Sequence, residues 1–454
     1  MHTLDESPCS RRLIGWTGLL ALAFLAPGQV LAGDYCRTVA ISNTGFNSLE
    51  AKQKAAGVRW LELGHEWLVC GEPDPVEHVT ADLQVLREIE DEFNDLVLIQ
   101  GFRRQAHPAS EVLASGGRFA VLTRSDAERV LRESEHTHGH SHSQTLDIPW
   151  NTVLVRMAEN RPPRAKRAAS PQIDAMVAAV NGSRWLGDVA TLASHDRHSL
   201  RTGIAGARDW IQAQFEAMPG ISAQLDPFQV SGVTVHNVIA TLPGSTRADE
   251  IYIVGGHYDA IGGSFSPGAE DNASGCAGVL ELARIFAANP PPPTMLFVCY
   301  AGEEQGLLGS HHQVADLRAA GDDARVVHML NMDMIGFSGD ADLDCLLETE
   351  DAFAGLLDVY ADAALDHTTL SIATSLHAFG SDHVPFIGAG MPALLTIEND
   401  WDSYPHYHRS SDIAANVSLQ MGVQILRMNV AALAGMMGIE GGPVFSNGFE
   451  QLQP

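Results

Sequence analysis

Three stretches of this chain end an apolar run in side chains that can bind a metal ion. "IYIVGGHYD" closes with His257 and Asp259, and "MLFVCYAGEEQG" with Glu303 and Glu304. Between them "GAEDNASG", residues 268 to 275, holds Glu270 and Asp271 in a turn flanked by glycines. Asp333 in "NMDMIG" and His408 in "PHYHRSSD" complete a set of five on five segments: His257, Asp271, Glu304, Asp333 and His408. Imidazole with carboxylate, and no thiolate, suits zinc or a similar borderline divalent ion. Five ligands exceed the three of a single catalytic zinc and fit two metals sharing a bridging carboxylate. Asp271 is the natural bridge, because the glycines let its backbone come close to both ions. Each residue alone has an ordinary explanation, such as dipole compensation by Glu-Glu before a helix. Five of them at strand ends of one domain point to a metal centre.

The elements that must carry these residues follow from periodicity. After residue 170, "GIAGARDWIQAQFEAM" has apolar residues at 204, 207, 211, 215 and 218, a helical spacing. Strand-like "VHNVIATLPG" and "EIYIVGGH" follow, then helix "ASGCAGVLELARIFAA", strand "MLFVCYAG" and helix "LLGSHHQVADLRAAG". Strands "VVHMLNMDMIG" and "PALLTIEND" come next, and a helix over "NVSLQMGVQILRMNVAALAGMM" closes the domain. Apolar strands interleaved with amphipathic helices predict an α/β fold: a mixed, mostly parallel central sheet flanked by helices. Ligands in such sheets bind outside the carboxyl ends of the strands, where the acids and histidines sit.

Ahead of this domain, residues 33–160 read as a separate α+β unit, a pro-region or accessory domain. Strand-like runs are "TVAIS", "VRWLEL", "LVLIQGF", "RFAVLT" and "NTVLVRM", and "ADLQVLREIEDEF" (81–93) predicts a helix. The tract "EHTHGHSHSQ" fits a solvated loop, or loose metal binding by its histidines at 136, 138, 140 and 142. The basic, proline-rich "RPPRAKRAAS" (161–170) is a linker and a site open to proteolysis; residues 171–440 form the catalytic domain and 441–454 a short tail. Residues 1–32 have the charged start, apolar core and small-residue end of an export signal, and Arg11–Arg12 permits a twin-arginine route. The protein is therefore expected to be secreted or periplasmic. No segment is long enough for a membrane span. A formal net charge of -28 excludes nucleic acid as a partner. Of six cysteines, Cys9 lies in the signal; Cys36 and Cys70 can pair in an oxidising compartment, while Cys276 and Cys299 read as buried small hydrophobes.

The segments "GGHYD", "PGAEDNASG", "AGEEQGLLGS", "NMDMIG", "GSDHVPF" and "HRSSDI" resemble, in order and spacing, the di-zinc exopeptidases of the bacterial leucyl aminopeptidase type, across about residues 175 to 438. The resemblance implies two Zn²⁺ per chain: His257 and Asp333 on one, Glu304 and His408 on the other, Asp271 bridging. It implies Glu303 as general base, Asp259 as the carboxylate orienting His257, and a cis peptide after Asp271. It aligns Met334, Leu395, Ile397, Trp401, Tyr404 and Tyr407 with the wall of an apolar pocket for the substrate's N-terminal side chain. The chain departs from the family at Ala378, Phe379 and Gly380, where a cysteine pair and a tyrosine are common. The expected activity is hydrolysis of the N-terminal bond of peptides by a secreted enzyme made as a precursor, its pro-region contacting the catalytic domain. A carboxypeptidase or dipeptidase on the same scaffold would need a cation for the substrate carboxylate, with Arg409 the candidate; a receptor-like ectodomain would be expected to lose ligands.

Overall fold

The computed structural model describes residues 35–41, 57–89, 95–103, 111–138, 143–158 and 170–439. The export-like segment, residues 161–169 of the linker, the tail from residue 440 and the side chains of the histidine tract lie outside the described residues. The amino-terminal strands are β1 (Tyr35–Ala40), β2 (Arg59–Leu63), β3 (Glu66–Gly71), β4 (Gln84–Ile89), β5 (Leu96–Gln100), β6 (Ala114–Gly116), β7 (Phe119–Thr123), β8 (Gln144–Leu146) and β9 (Thr152–Met157). Helices α1 (Pro73–Thr80) and α2 (Arg124–His138) lie among them. The helix predicted over 81–93 is instead the strand β4, paired antiparallel with β1. Leu, Arg and Glu favour a helix locally, but the ladder to β1 and the 2.8 Å Arg37–Glu88 ion pair across it override that preference.

The carboxyl-terminal strands are β10 (Ser222–Val230), β11 (Val233–Leu242), β12 (Arg247–His257), β13 (Pro293–Tyr300), β14 (Val326–Met332), β15 (Asp344–Glu348), β16 (Ser371–Ser375) and β17 (Ala393–Glu398). The helices are α3 (Pro171–Ala178), α4 (Gly182–Leu192), α5 (Ile204–Glu216), α6 (Ser274–Ala288), α7 (Leu308–Ala320), α8 (Gly355–His367), α9 (His383–Gly388) and α10 (Leu419–Met436). β13, β12, β14 and β17 are neighbours and parallel, so their carboxyl ends share one edge. Successive side chains of a strand face opposite sides of the sheet. On β12, Tyr252 and Val254 join the core under α4, α5, α6 and α10, and Ile251 and Ile253 join the core under α7 and α9. This two-sided burial makes the strands continuously apolar until they leave the sheet, where polar residues begin.

The amino-terminal half does not stand apart. β9 pairs antiparallel with β16 and parallel with β2, giving one thirteen-stranded sheet in the order β10-β11-β13-β12-β14-β17-β15-β16-β9-β2-β3-β1-β4. Leu61, Leu63, Leu98, Phe119 and Leu154 share a core with Leu346, Leu395, Ile397, Trp401 and Tyr404 of the carboxyl-terminal half. A smaller sheet, β6-β7-β5-β8, lies beside it. Cys36 and Cys70 form a disulfide. Cys276 and Cys299, expected as unpaired hydrophobes, form a second one between α6 and β13. Both sites are apolar, so sequence pattern alone could not show that helix and strand bring the sulfurs together. Among the described residues no helix is long and apolar enough to cross a membrane.

Candidate metal centre

Three of the five expected ligands lie where parallel strands end, a fourth lies in the loop after β17, and the fifth lies in the turn before α6. His257 is the last residue of β12, Glu304 follows β13, Asp333 follows β14, and His408 lies in the loop after β17. Their side chains converge. The Asp271 carboxylate sits between the two imidazoles, with Oδ1 3.4 Å from His257 Nε2 and Oδ2 3.2 Å from His408 Nε2. His257 Nε2 is also 3.5 Å from Asp333 Oδ1 and 3.9 Å from Glu303 Oε2, and His408 Nε2 is 3.0 Å from Glu304 Oε2. All six of these residues are buried.

The turn that presents Asp271 is held from several sides. Gly268 is left-handed, and a Cβ there would meet Asp271 O at 2.3 Å; one at Gly275 would meet Met332 O at 2.3 Å. Gly268 thus lets the turn fold back on itself and Gly275 lets it pack against the end of β14, and the Asp271–Asn272 peptide bond is cis. Asn272 Nδ2 donates to Met332 O, while its Oδ1 accepts from the Gly275 and Met334 amides. Asp412 accepts from the amides of Glu270 and Asp271 and from the Tyr404 hydroxyl. The buried Arg197 guanidinium donates to the carbonyls of Tyr258, Pro267 and Gly268. Sequence reasoning missed Arg197, Asn272 and Asp412 as supports. Asn272 and Asp412 lay inside the quoted motifs; nothing local marked Arg197.

Asp259 has two contacts with the cluster. Its carbonyl lies 3.1 Å from His257 Nδ1, nearer than the carboxylate expected to orient the ring, whose Oδ1 is at 3.6 Å, and this leaves Nε2 facing Asp271. Its carboxylate accepts from the Ser199 hydroxyl and from the amides of Glu303 and Glu304, fixing the turn after β13.

Burial pushes the Glu303 carboxyl well above its ordinary range, with the His257 charge opposing, and Glu304 is raised for the same reason. Burial works against the His257 cation, but Glu303 and Asp333 overcome it and hold its pKa well above normal. Buried acids so close together are costly unless a cation joins them. Imidazole nitrogens and carboxylate oxygens facing one small space are the donor set that a borderline divalent ion takes.

A cavity of about 30 Å³ opens onto the cluster, room for a water or two. Met334, Ile397, Trp401 and Tyr407 line it. Leu395 and Tyr404, expected in the same wall, lie fully buried behind it. Arg409 is exposed, in the loop just past His408. The cation in the cavity wall is Arg118, from the amino-terminal half. It follows the Gly116–Gly117 turn between β6 and β7, where a Cβ on Gly116 would meet Leu63 O at 2.0 Å. Its Nη1 donates to Phe379 O at 2.6 Å and to Glu348, and its Nη2 to Gly380 O. "SGGRF" reads locally as a tight hairpin turn, but not as one aimed at this site.

A sheet edge carrying this cluster defines a candidate metal centre. Residues 237–433 match the model of peptidase family M28, and the chain is similar to zinc metallopeptidases and aminopeptidases. The chain is 29% identical over 345 residues to a "probable zinc metalloprotease" of Leptosphaeria maculans, covering 61% of this chain and 79% of that one. It is 28% identical to a "probable leucine aminopeptidase" of Trichophyton verrucosum, covering 67% and 87%. The fold is that of the LapA aminopeptidase of Legionella pneumophila, with a TM-score of 0.54 at 18% identity, over 75% of this chain and 97% of that one.

Proposed function

We propose that the chain is an exported two-zinc aminopeptidase that removes apolar residues from the amino end of peptides. The reading rests above all on Asp271, whose two carboxylate oxygens each face a different imidazole. His257 and Asp333 would hold one zinc, Glu304 and His408 the other, with Asp271 shared. Zinc in such a site lowers the pKa of water and polarises the scissile carbonyl. Glu303 takes the proton of the attacking water and returns it to the leaving amine. The Asp259 carboxylate supports both the base and the ligand beside it, through their amides, and its carbonyl orients His257. Met334, Ile397, Trp401 and Tyr407 give the N-terminal side chain an apolar wall. The two disulfides suit an oxidising compartment, secreted or periplasmic.

Residues 33–160 act in this reading as a pro-region. They supply Arg118 to a cavity too small for a peptide, so the amino-terminal half restrains the site until it is displaced. The test is hydrolysis of leucyl-anilide, N-acetyl-leucyl-anilide and dipeptides with a free carboxyl end, before and after chelation and zinc re-addition. The expected result is turnover of the free-amine anilide alone, lost with the chelator and restored by zinc. Equal cleavage of the acetylated substrate would sink the aminopeptidase reading. Activity confined to dipeptides would transfer the site to the carboxylate-recognising alternative.

A further inference from the structure

Two arginines of the amino-terminal half reach the metal-ligand cluster, one at each end. The Arg103 guanidinium lies 3.7 Å from the centroid of the Tyr407 ring. That ring in turn lies 3.7 Å from the His408 imidazole, with 15° between their planes. Guanidinium, phenol and imidazole are therefore stacked as three layers, and the outer layer is pinned by an Arg103 Nη2 bond to Tyr404 O at 2.7 Å. His408 has φ +54°, an uncommon conformation for a residue with a Cβ. Its loop must hold that backbone while Nε2 meets Asp271 and Glu304. Tyr407 fixes the plane of the imidazole, and Arg103 fixes Tyr407.

At the other end, Arg118 donates to the carbonyls of Phe379 and Gly380. The next residue, Ser381, donates its hydroxyl to Asp333 Oδ2 at 2.5 Å, which leaves Oδ1 facing His257. Arg118 thus holds the backbone from which Ser381 orients Asp333. Glu348 ties the same loop down, accepting from both Arg118 and the Phe379 amide.

We infer that the region before residue 160 supports the metal ligands as well as covering them: Arg103 is a positioning residue for His408, and Arg118 for Asp333. The inference rests on the reading of His408 and Asp333 as ligands. Charge and positioning have opposite signs here. A buried cation repels a divalent ion, so deleting its charge tightens binding, whereas losing the stack loosens it. Lysine separates the two, since it keeps the charge and loses the planar face and fork.

The experiment uses the full-length protein and zinc alone, titrated against a chromogenic chelator, with the visible spectrum of the cobalt-substituted protein as a second readout. Arg103→Lys and Arg118→Lys should each weaken zinc binding about 10–100-fold, the usual effect of removing a ligand's support. Each should also shift the cobalt bands. Arg37→Ala, which removes contacts with Glu88 and Thr80 in the amino-terminal sheet, should change neither readout. Tyr407→Leu combined with Arg103→Lys should cost no more than the larger single change, and Tyr407→Leu alone serves if Arg103→Lys fails to fold. Wild-type affinity and spectrum in both lysine variants would overturn the inference while leaving the metal site standing. Unchanged zinc binding in His408→Ala would instead remove the ligand assignment, and this inference with it.

Discussion

Glu303 and Glu304 are neighbours in the chain, yet their carboxylates face different partners: Glu303 approaches His257 and Glu304 approaches His408. The split is possible because the chain leaves the sheet at Tyr300 and turns at once, with Asp259 accepting both glutamate amides. Glu303→Gln keeps the shape and removes only the proton acceptor. We expect zinc content to stay at the wild-type level while kcat falls about 10²–10⁴-fold, the usual worth of a positioned base. Retained turnover with full metal would place the base elsewhere. At this scale His257, Glu304 and Asp333 were legible as candidate ligands because each ends or closely follows an apolar strand, and Asp271 because its turn is flanked by glycines. The residues that hold them were not. Arg103, Arg118 and Arg197 act through contacts distant in sequence, and an isolated arginine carries no local sign of what it will touch.

The turn before α6 joins sequence to site most directly, because its glycines answer to contact rather than to flexibility. A Cβ on Gly275 would lie 2.3 Å from Met332 O and 2.4 Å from Asn272 Oδ1. Gly275→Ala must push the turn away from β14, breaking the Asn272 clamp and moving Asp271. Overpacking of this kind costs about 1–3 kcal/mol, so the midpoint of thermal unfolding and the zinc content should both drop. An unchanged midpoint with full zinc would mean that the turn relaxes freely. The strands that carry the ligands were readable, since two-sided burial makes them long apolar runs. β15 and β16 lie outside the segments whose periodicity predicts strands, and β4 forms where the sequence predicts a helix because pairing at a sheet edge outweighs helical propensity. Those missed strands matter, for β16 is where the amino-terminal half joins the sheet.

At the scale of the whole molecule the two halves are bound more closely than a change of composition at "RPPRAKRAAS" implied. That composition shift is real in sequence, but a linker says nothing about whether strands on either side pair across it. β9 sits on the amino-terminal side of the linker and pairs with β16 on the other. Leu61, Leu63 and Phe119 are buried together with Ile397, Trp401 and Tyr404. A cut within residues 161–168 would therefore leave both fragments held by an apolar core and a backbone ladder. We expect trypsin-nicked protein to elute from a sizing column as one species, with little change in turnover of leucyl-anilide. Activity should rise only once mild denaturant or a second cut removes the amino-terminal fragment, because only then does the roughly 30 Å³ cavity lose Arg118 from its wall. The freed catalytic fragment should also release zinc faster than the nicked complex, since it has lost Arg103 and Arg118 together. Equal activity in the intact chain and the separated fragment would show that the amino-terminal half does not restrain the site, and loss of activity on separation would make it a permanent part of the enzyme. A rise on nicking alone, with both fragments still bound, would show that the strain of one continuous chain, rather than the cover itself, holds the site shut.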